Sequence, residues 1–124
     1  MKLQIKAVYD RGVLSKERIH LVANADIDLK FYLMLDTTYT AANSISNLER
    51  HAFWFSPRVI KAGENVVLYT KKGTESVETK ENLGKFHFLY RGLDQTVWNK
   101  DADCAVLFEI NTWATTPLPR PIFD

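Results

Sequence analysis

Val66-Val67-Leu68-Tyr69-Thr70 and Cys104-Ala105-Val106-Leu107-Phe108-Glu109 are the two stretches that decide the fold. Each is a short run of β-branched, aliphatic and aromatic residues, entered through polar turn residues. Runs of this length bounded by turn signals read as strands, and the first has no polar face, as expected where both sides of a strand are covered.

Working outward from these runs, Leu3, Ile5, Ala7 and Tyr9 alternate with Lys2, Gln4, Lys6 and Val8, a mostly period-two pattern that predicts a half-buried strand. Asp10-Arg11-Gly12 turns the chain. Ser15-Lys16-Glu17-Arg18 begins on a good helix cap, but Arg18 stands where a capping box needs an acceptor, so the segment reads as a loop into the next strand, residues 18–23. A third strand is predicted over 29–36, with Leu29, Phe31, Leu33 and Leu35 on one face and Lys30, Tyr32, Met34 and Asp36 on the other.

Residues 37–50 show neither periodicity and predict a long surface loop, a feature that is often functional in a compact domain. His51-Ala52-Phe53-Trp54-Phe55 reads as a short aromatic strand stopped by Pro57, which has no N–H to give a ladder. Residues 58–64 form a turn with Gly63 at the position most in need of positive φ. Residues 74–85 are polar and predict a second long loop. Phe86, Phe88 and Tyr90 then alternate with His87 and Leu89, Thr96-Val97-Trp98 reads as a very short strand, and Pro117, Pro119 and Pro121 make 114–124 an extended tail.

The expectation is an all-β chain, an immunoglobulin-like β-sandwich of about seven to nine short antiparallel strands over residues 1–113, followed by the Pro-rich tail. At 124 residues the chain is long enough for one domain with a core of its own. The 16 basic and 15 acidic residues leave a net charge of +1, so no bulk field draws in nucleic acid or an anionic membrane, and nucleic acid is not the expected partner. Cys104 is the one cysteine, and Met1-Lys2-Leu3-Gln4-Ile5-Lys6 lacks an apolar signal core, which together predict a reducing, cytoplasmic location. No apolar run approaches the roughly 20 residues of a spanning helix.

Four segments in this order carry a family resemblance: residues 17–22 followed by 28–36; Ile60-Lys61-Ala62-Gly63-Glu64-Asn65-Val66-Val67-Leu68-Tyr69-Thr70 after the aromatic-Pro turn; Tyr90-Arg91-Gly92; and Val97-Trp98-Asn99-Lys100-Asp101-Ala102-Asp103-Cys104-Ala105-Val106-Leu107. The set resembles the lamin-tail domain over residues 17–113. Ala102 stands where that family usually has Gly, and a Cβ in a left-handed turn costs on the order of 1 kcal/mol. Phe31-Tyr32 stands in place of its early-strand tryptophan. The resemblance implies an immunoglobulin-like sandwich that serves interaction or anchoring and has no catalytic centre.

Three consecutive aromatics on a strand cannot all face one core, so Phe53, Trp54 and Phe55 are the candidate contact patch, with Arg91 and Asp94 as further binding candidates. Trp54, Trp98 and Trp113 are otherwise expected to fill the core or seal its ends. Asp94, Asp101 and Asp103 lie close in sequence, and with His87 they form the alternative: a divalent-metal-dependent hydrolase or nuclease. Their spacing lacks the Gly and distal Glu of a calcium loop, and turn capping is the plainer role for them. His20, His51 and His87 have no partner at ligand spacing, and no local motif activates Cys104 as a nucleophile. No cofactor and no metal is expected. Lys71, Lys72, Arg91 and Lys100 read as scattered solvated charge. The favoured expectation is a non-enzymatic module that binds another protein, or a second copy of itself, through loops 37–50 and 74–85 and the aromatic patch.

Overall fold

The computed structural model describes residues 1–41, 44–45, 50–98 and 103–117, with backbone alone for 38–41, 44–45 and 50. The described chain is mostly strand. Strands β1 (Leu3–Tyr9), β2 (Arg18–Ala23), β8 (Asn65–Tyr69), β10 (Gly84–Tyr90) and β9 (Ser76–Lys80) form a five-stranded sheet in that order. A four-stranded sheet has β4 (Tyr32–Ala41) at its centre, flanked by β11 (Asp103–Glu109) and by the short strands β5 (Ser44–Ile45) and β6 (Arg50–Trp54). A two-stranded ribbon pairs β3 (Ile27–Asp28) with β7 (Val59–Ile60). Among the described residues no helix is long and apolar enough to cross a membrane.

Both decisive runs are strands, β8 inside the larger sheet and β11 at one edge of the smaller. Val66 and Leu68 of β8 are buried in the core, and Val67 on the opposite side is also covered, which is why this strand shows no polar face. β8 lies antiparallel to β2 but parallel to β10, with Val67 opposite Phe88 and Tyr69 opposite Tyr90. This corrects the expected all-antiparallel arrangement. The parallel pair arises because β10 returns between β8 and its own hairpin partner β9.

That hairpin replaces the long loop expected over 74–85. Ser76–Lys80 is exposed along its whole length, so no apolar alternation marks it, and its ladder to β10 alone makes it a strand. Its tight turn has Asn82 at φ 64 and Gly84 at φ 93, left-handed positions that these two residue types tolerate best. The loop expected over 37–50 is corrected in the same way, since β4 runs on to Ala41 and β5 and β6 pair with it. Thr37 is buried opposite Cys104.

The facing of the third strand differs in part from the expectation, since Leu29 and Leu35 are buried as expected but residues of the other row are buried with them. Leu29–Phe31 is a 3-10 turn capped by Asp28, whose Oδ1 accepts from the Lys30 N–H at 3.0 Å. Three residues wound in a turn shift the parity of everything after them. Leu29 is therefore buried, but so are Tyr32, Met34 and Asp36, while Leu33 points to the outer face. Inner residues of both sheets share one core, with Leu3, Ile19, Leu21, Val66, Leu68 and Leu89 from the larger and Tyr32 and Met34 from the smaller.

Glu17 is the polar centre of that packing. Fully buried, its carboxylate accepts from the Gly12 N–H (2.9 Å), Thr70 Oγ1 (2.6 Å), the Val97 N–H (2.9 Å) and the Trp98 N–H (3.1 Å). Residues 96–98 are consequently not the short strand expected, because the Val97 and Trp98 N–H groups go to a side chain rather than to a neighbouring strand. Trp98 alone of the three tryptophans fills the core. The tail residues 118–124 lie outside the described residues, and 112–117 form no strand.

Candidate functional site

The aromatic strand β6 divides its side chains between two environments, as strand geometry requires. Phe53 turns inward, and Phe55, just past the strand end, is buried with its ring edge-on to Phe53 at 5.0 Å. Trp54 faces out and is 49% exposed. Of the three expected patch residues, Trp54 is exposed, Phe53 partly buried and Phe55 buried. The patch is completed by residues that sequence proximity does not reveal.

Register supplies them. Trp54 of β6 lies opposite Leu33 of β4, and Leu33 lies opposite Phe108 of β11, so the three form one row across the outer face of the four-stranded sheet. Phe108 is 45% exposed. Past β11 the Ile110 N–H donates to the Phe31 carbonyl at 2.6 Å, extending the pairing with the β4 side by one residue, and three residues on Trp113 reaches the end of the row. Trp113, 45% exposed, meets Trp54 edge-on at 5.4 Å and Phe31 at 5.8 Å. The Trp54 indole N–H donates to the Lys30 carbonyl at 2.8 Å, which fixes its ring with the apolar surface outward.

A cleft of about 440 Å³ opens beside Phe31 and is lined by Tyr32, Asp26, Asp28, Glu109 and Lys2 among others. The Tyr32 hydroxyl donates to Glu109 at 2.8 Å, and its phenol is pushed up first by burial and then by that carboxylate. Asp28 Oδ1 also accepts from the Arg58 N–H at 3.1 Å. Asp26 accepts from the Ala62 N–H at 2.9 Å, and this bond, followed by the Lys61 charge, holds its carboxyl below the usual range. Fixed carboxylates next to aromatic rings suit a cationic side chain.

Arg91 does not reach out to a partner. Its Nη2 donates to the His51 carbonyl, its guanidinium lies 5.6 Å from the Phe53 ring, and Nη1 is buried with no hydrogen-bond partner among the described residues. Burial draws its pKa down, while the Asp36 and Glu17 carboxylates oppose that shift. Arg91 is thus a brace between β6 and the segment after β10. Asp94 is exposed and borders a shallow depression of about 640 Å³ with Leu14, Ser15, Lys71, Lys72 and Leu93, apart from the aromatic row.

The residues of the metal alternative are dispersed. His87 is buried in β10, with Nε2 2.9 Å from Glu64 and Nδ1 3.5 Å from Arg58, whereas Asp103 begins β11 in the other sheet and its carbonyl accepts from Arg11. Asp101 lies outside the described residues. Among the described residues no three His, Cys, Asp or Glu side chains come close enough to share a metal ion. Cys104 is buried, and its thiol is pushed up first by burial and then by Asp103.

One pairing went unnoticed in the sequence. His51, at φ 48, sets Nδ1 2.8 Å from Oδ1 of the buried Asp36. Fifteen residues separate the two, and neither stands in a motif.

The chain matches no protein-family model, no curated protein and no solved structure.

Proposed function

We propose that this chain is a non-enzymatic protein-interaction or assembly module that engages another protein, or a second copy of itself, through the row Trp113, Trp54, Leu33 and Phe108. The observation that carries the reading is the Trp54–Trp113 pair. Two large rings, each nearly half exposed, are held edge-on and further fixed by the indole bond to Lys30. Exposed apolar surface of this kind marks contact sites, and tryptophans ordered before binding lose little entropy on it. The cleft beside Phe31 extends the same surface with carboxylates for a basic residue of the partner.

The immunoglobulin-like, lamin-tail-like sandwich belongs to this proposal. Its support is the Gly63 turn at φ 85 leading into β8, and two sheets that contribute inner faces to one core. The parallel β8–β10 pair departs from the expected all-antiparallel pattern.

Sedimentation velocity over a wide concentration range, with cross-linking capture from host extract run beside it, tests the interaction. Self-association, or capture of a partner, that disappears in the Trp54→Ser, Trp113→Ser double variant is the expected result. A chain that stays monomeric and captures the same material with and without the two rings sinks the proposal.

A further inference from the structure

The outer face of the five-stranded sheet is a second aromatic surface with a different chemistry. Strand alternation sends Ile19, Leu21, Val66, Leu68, His87 and Leu89 inward, and so turns Arg18, His20, Val67, Tyr69, Phe86, Phe88 and Tyr90 outward. The registers align them in rows. Tyr9, Arg18, Tyr69 and Tyr90 lie side by side across β1, β2, β8 and β10, and His20, Val67 and Phe88 form the row beneath.

The rings touch in a continuous path. Tyr69 and Tyr90 stack at 5.3 Å with 12° between their planes, Tyr69 meets Phe88 at 6.4 Å, Phe88 meets Phe86 at 6.1 Å, and Phe86 meets His20 at 6.2 Å. Cations border the path. Lys71 Nζ sits 5.0 Å from the Tyr69 ring, Lys80 Nζ lies 5.3 Å from Phe86 and 5.7 Å from Phe88, and the Arg18 guanidinium lies 5.0 Å from Tyr9. Of the acidic groups here, Asp10 is bonded to Arg18 at 2.6 Å, and Glu78 stands opposite Phe86 on the edge strand β9.

From this arrangement we propose that the outer face of the five-stranded sheet binds single-stranded nucleic acid, with bases stacking on Tyr69, Phe88 and Phe86 and phosphates meeting Lys71 and Lys80. Successive outward residues of β10 are about 6.8 Å apart, a spacing that offers one ring after another to an extended strand. Stacking platforms beside cations are the feature shared by sequence-tolerant single-strand binders. The ammonium groups now over the rings are on flexible stems and swing onto phosphate as a base takes the ring face. The near-neutral charge of the whole chain does not bear on this, since the cations that matter are the few on one face.

The test is fluorescence anisotropy with a labelled oligothymidylate and, as a separate arm, an abasic oligomer of equal length and charge. Saturable binding of the oligothymidylate at low salt, with the abasic oligomer at least about tenfold weaker, is expected from loss of stacking. Tyr69→Leu and Phe88→Leu, which keep apolar bulk over the sheet, should each weaken binding by roughly fivefold or more. Lys71→Gln with Lys80→Gln should flatten the slope of log K against log salt by about 1.4. Trp54→Ser, on the other sheet, should leave binding unchanged, so that the protein-interaction proposal stands or falls separately. Absence of any anisotropy change with folded protein overturns the inference. Equal binding of the abasic oligomer does so as well, as does indifference to both leucine variants.

Discussion

Thr70 Oγ1 donates to Glu17 Oε2 at 2.6 Å, joining two residues 53 positions apart at the point where β8 ends and β2 begins. The same carboxylate holds the backbone of Gly12, Val97 and Trp98, so one side chain fixes the first hairpin turn, the end of a central strand and the loop that inserts Trp98 into the core.

Glu17→Ala leaves the buried Thr70 hydroxyl and the buried Val97 and Trp98 N–H groups without an acceptor, at about 1–3 kcal/mol for each one that water cannot reach. The variant should lose on the order of 3 kcal/mol or more in urea denaturation, and Glu17→Gln, which keeps one acceptor oxygen, should lose less. A midpoint within experimental error of the parent chain would show that the carboxylate does not hold these segments.

Gly73 is confined by Tyr90, because a Cβ built there would clash with one edge of the Tyr90 ring. Gly73→Ala should cost about 1–3 kcal/mol and disturb the Tyr69–Tyr90 stack, visible as a changed near-ultraviolet tyrosine signal. An unaltered spectrum at unaltered stability would show that the loop yields without moving the ring.

Glu64 is held below the usual carboxylate range, first by its hydrogen bond to His87, with burial opposing and the Lys61 N–H assisting. A depressed folded-state pKa means the unfolded chain takes up the proton more readily. The stabilisation is therefore complete above the ordinary value of 4.5 and disappears as pH falls through the lower folded value. The stability difference between the parent chain and Glu64→Gln should be constant near neutrality and shrink as the pH drops below that point. Denaturation midpoints measured across the acid range check it, and a difference that grows on acidification contradicts the assignment.

Cys104 should react slowly with a disulfide reagent such as DTNB in the native protein and rapidly in urea, since burial and the neighbouring Asp103 both disfavour the thiolate. Native labelling as fast as that of the denatured chain would place the thiol at the surface.

Removing Trp113 should hardly affect folding but should weaken partner binding by at least about tenfold, the scale of a hot-spot aromatic. Comparing Trp113→Ala with the parent chain in both thermal unfolding and interface binding separates the two. Large thermal destabilisation would mean that the ring serves the fold rather than the contact.

Strand content was legible wherever burial imposed a pattern. Leu3–Tyr9, Arg18–Ala23 and Asn65–Tyr69 fall within a residue of the stretches read from periodicity, because each carries a buried row. Ser76–Lys80 was invisible because its sole support is backbone pairing to β10, which leaves no mark on side-chain type. The facing of β4 was hard to read for another reason: both of its rows mix apolar and polar residues and both are buried at Leu35, Asp36 and Thr37, and the 3-10 turn that sets their phase depends on the Asp28 cap. The outer aromatic row was half legible, since Phe53, Trp54 and Phe55 announced a conflict over facing, but Phe108 joins Trp54 only through register and Trp113 only through a ring contact across the sheet. The placement of Arg91 was not legible, because its neighbour Phe53 is 38 positions away in sequence and nothing local indicates that the guanidinium turns inward.

The insertion of β10 between β8 and β9 has a kinetic consequence. The 76–90 hairpin is local and of a kind that closes in about 1–10 µs, whereas its parallel docking on β8 must pay for loop closure before any contact rewards it. Completion of the larger sheet is thus expected to come late in folding. Until it occurs, Phe86, Phe88 and the free edge of β8 are open to mispairing, and weakening the hairpin should slow the acquisition of structure more than it speeds its loss.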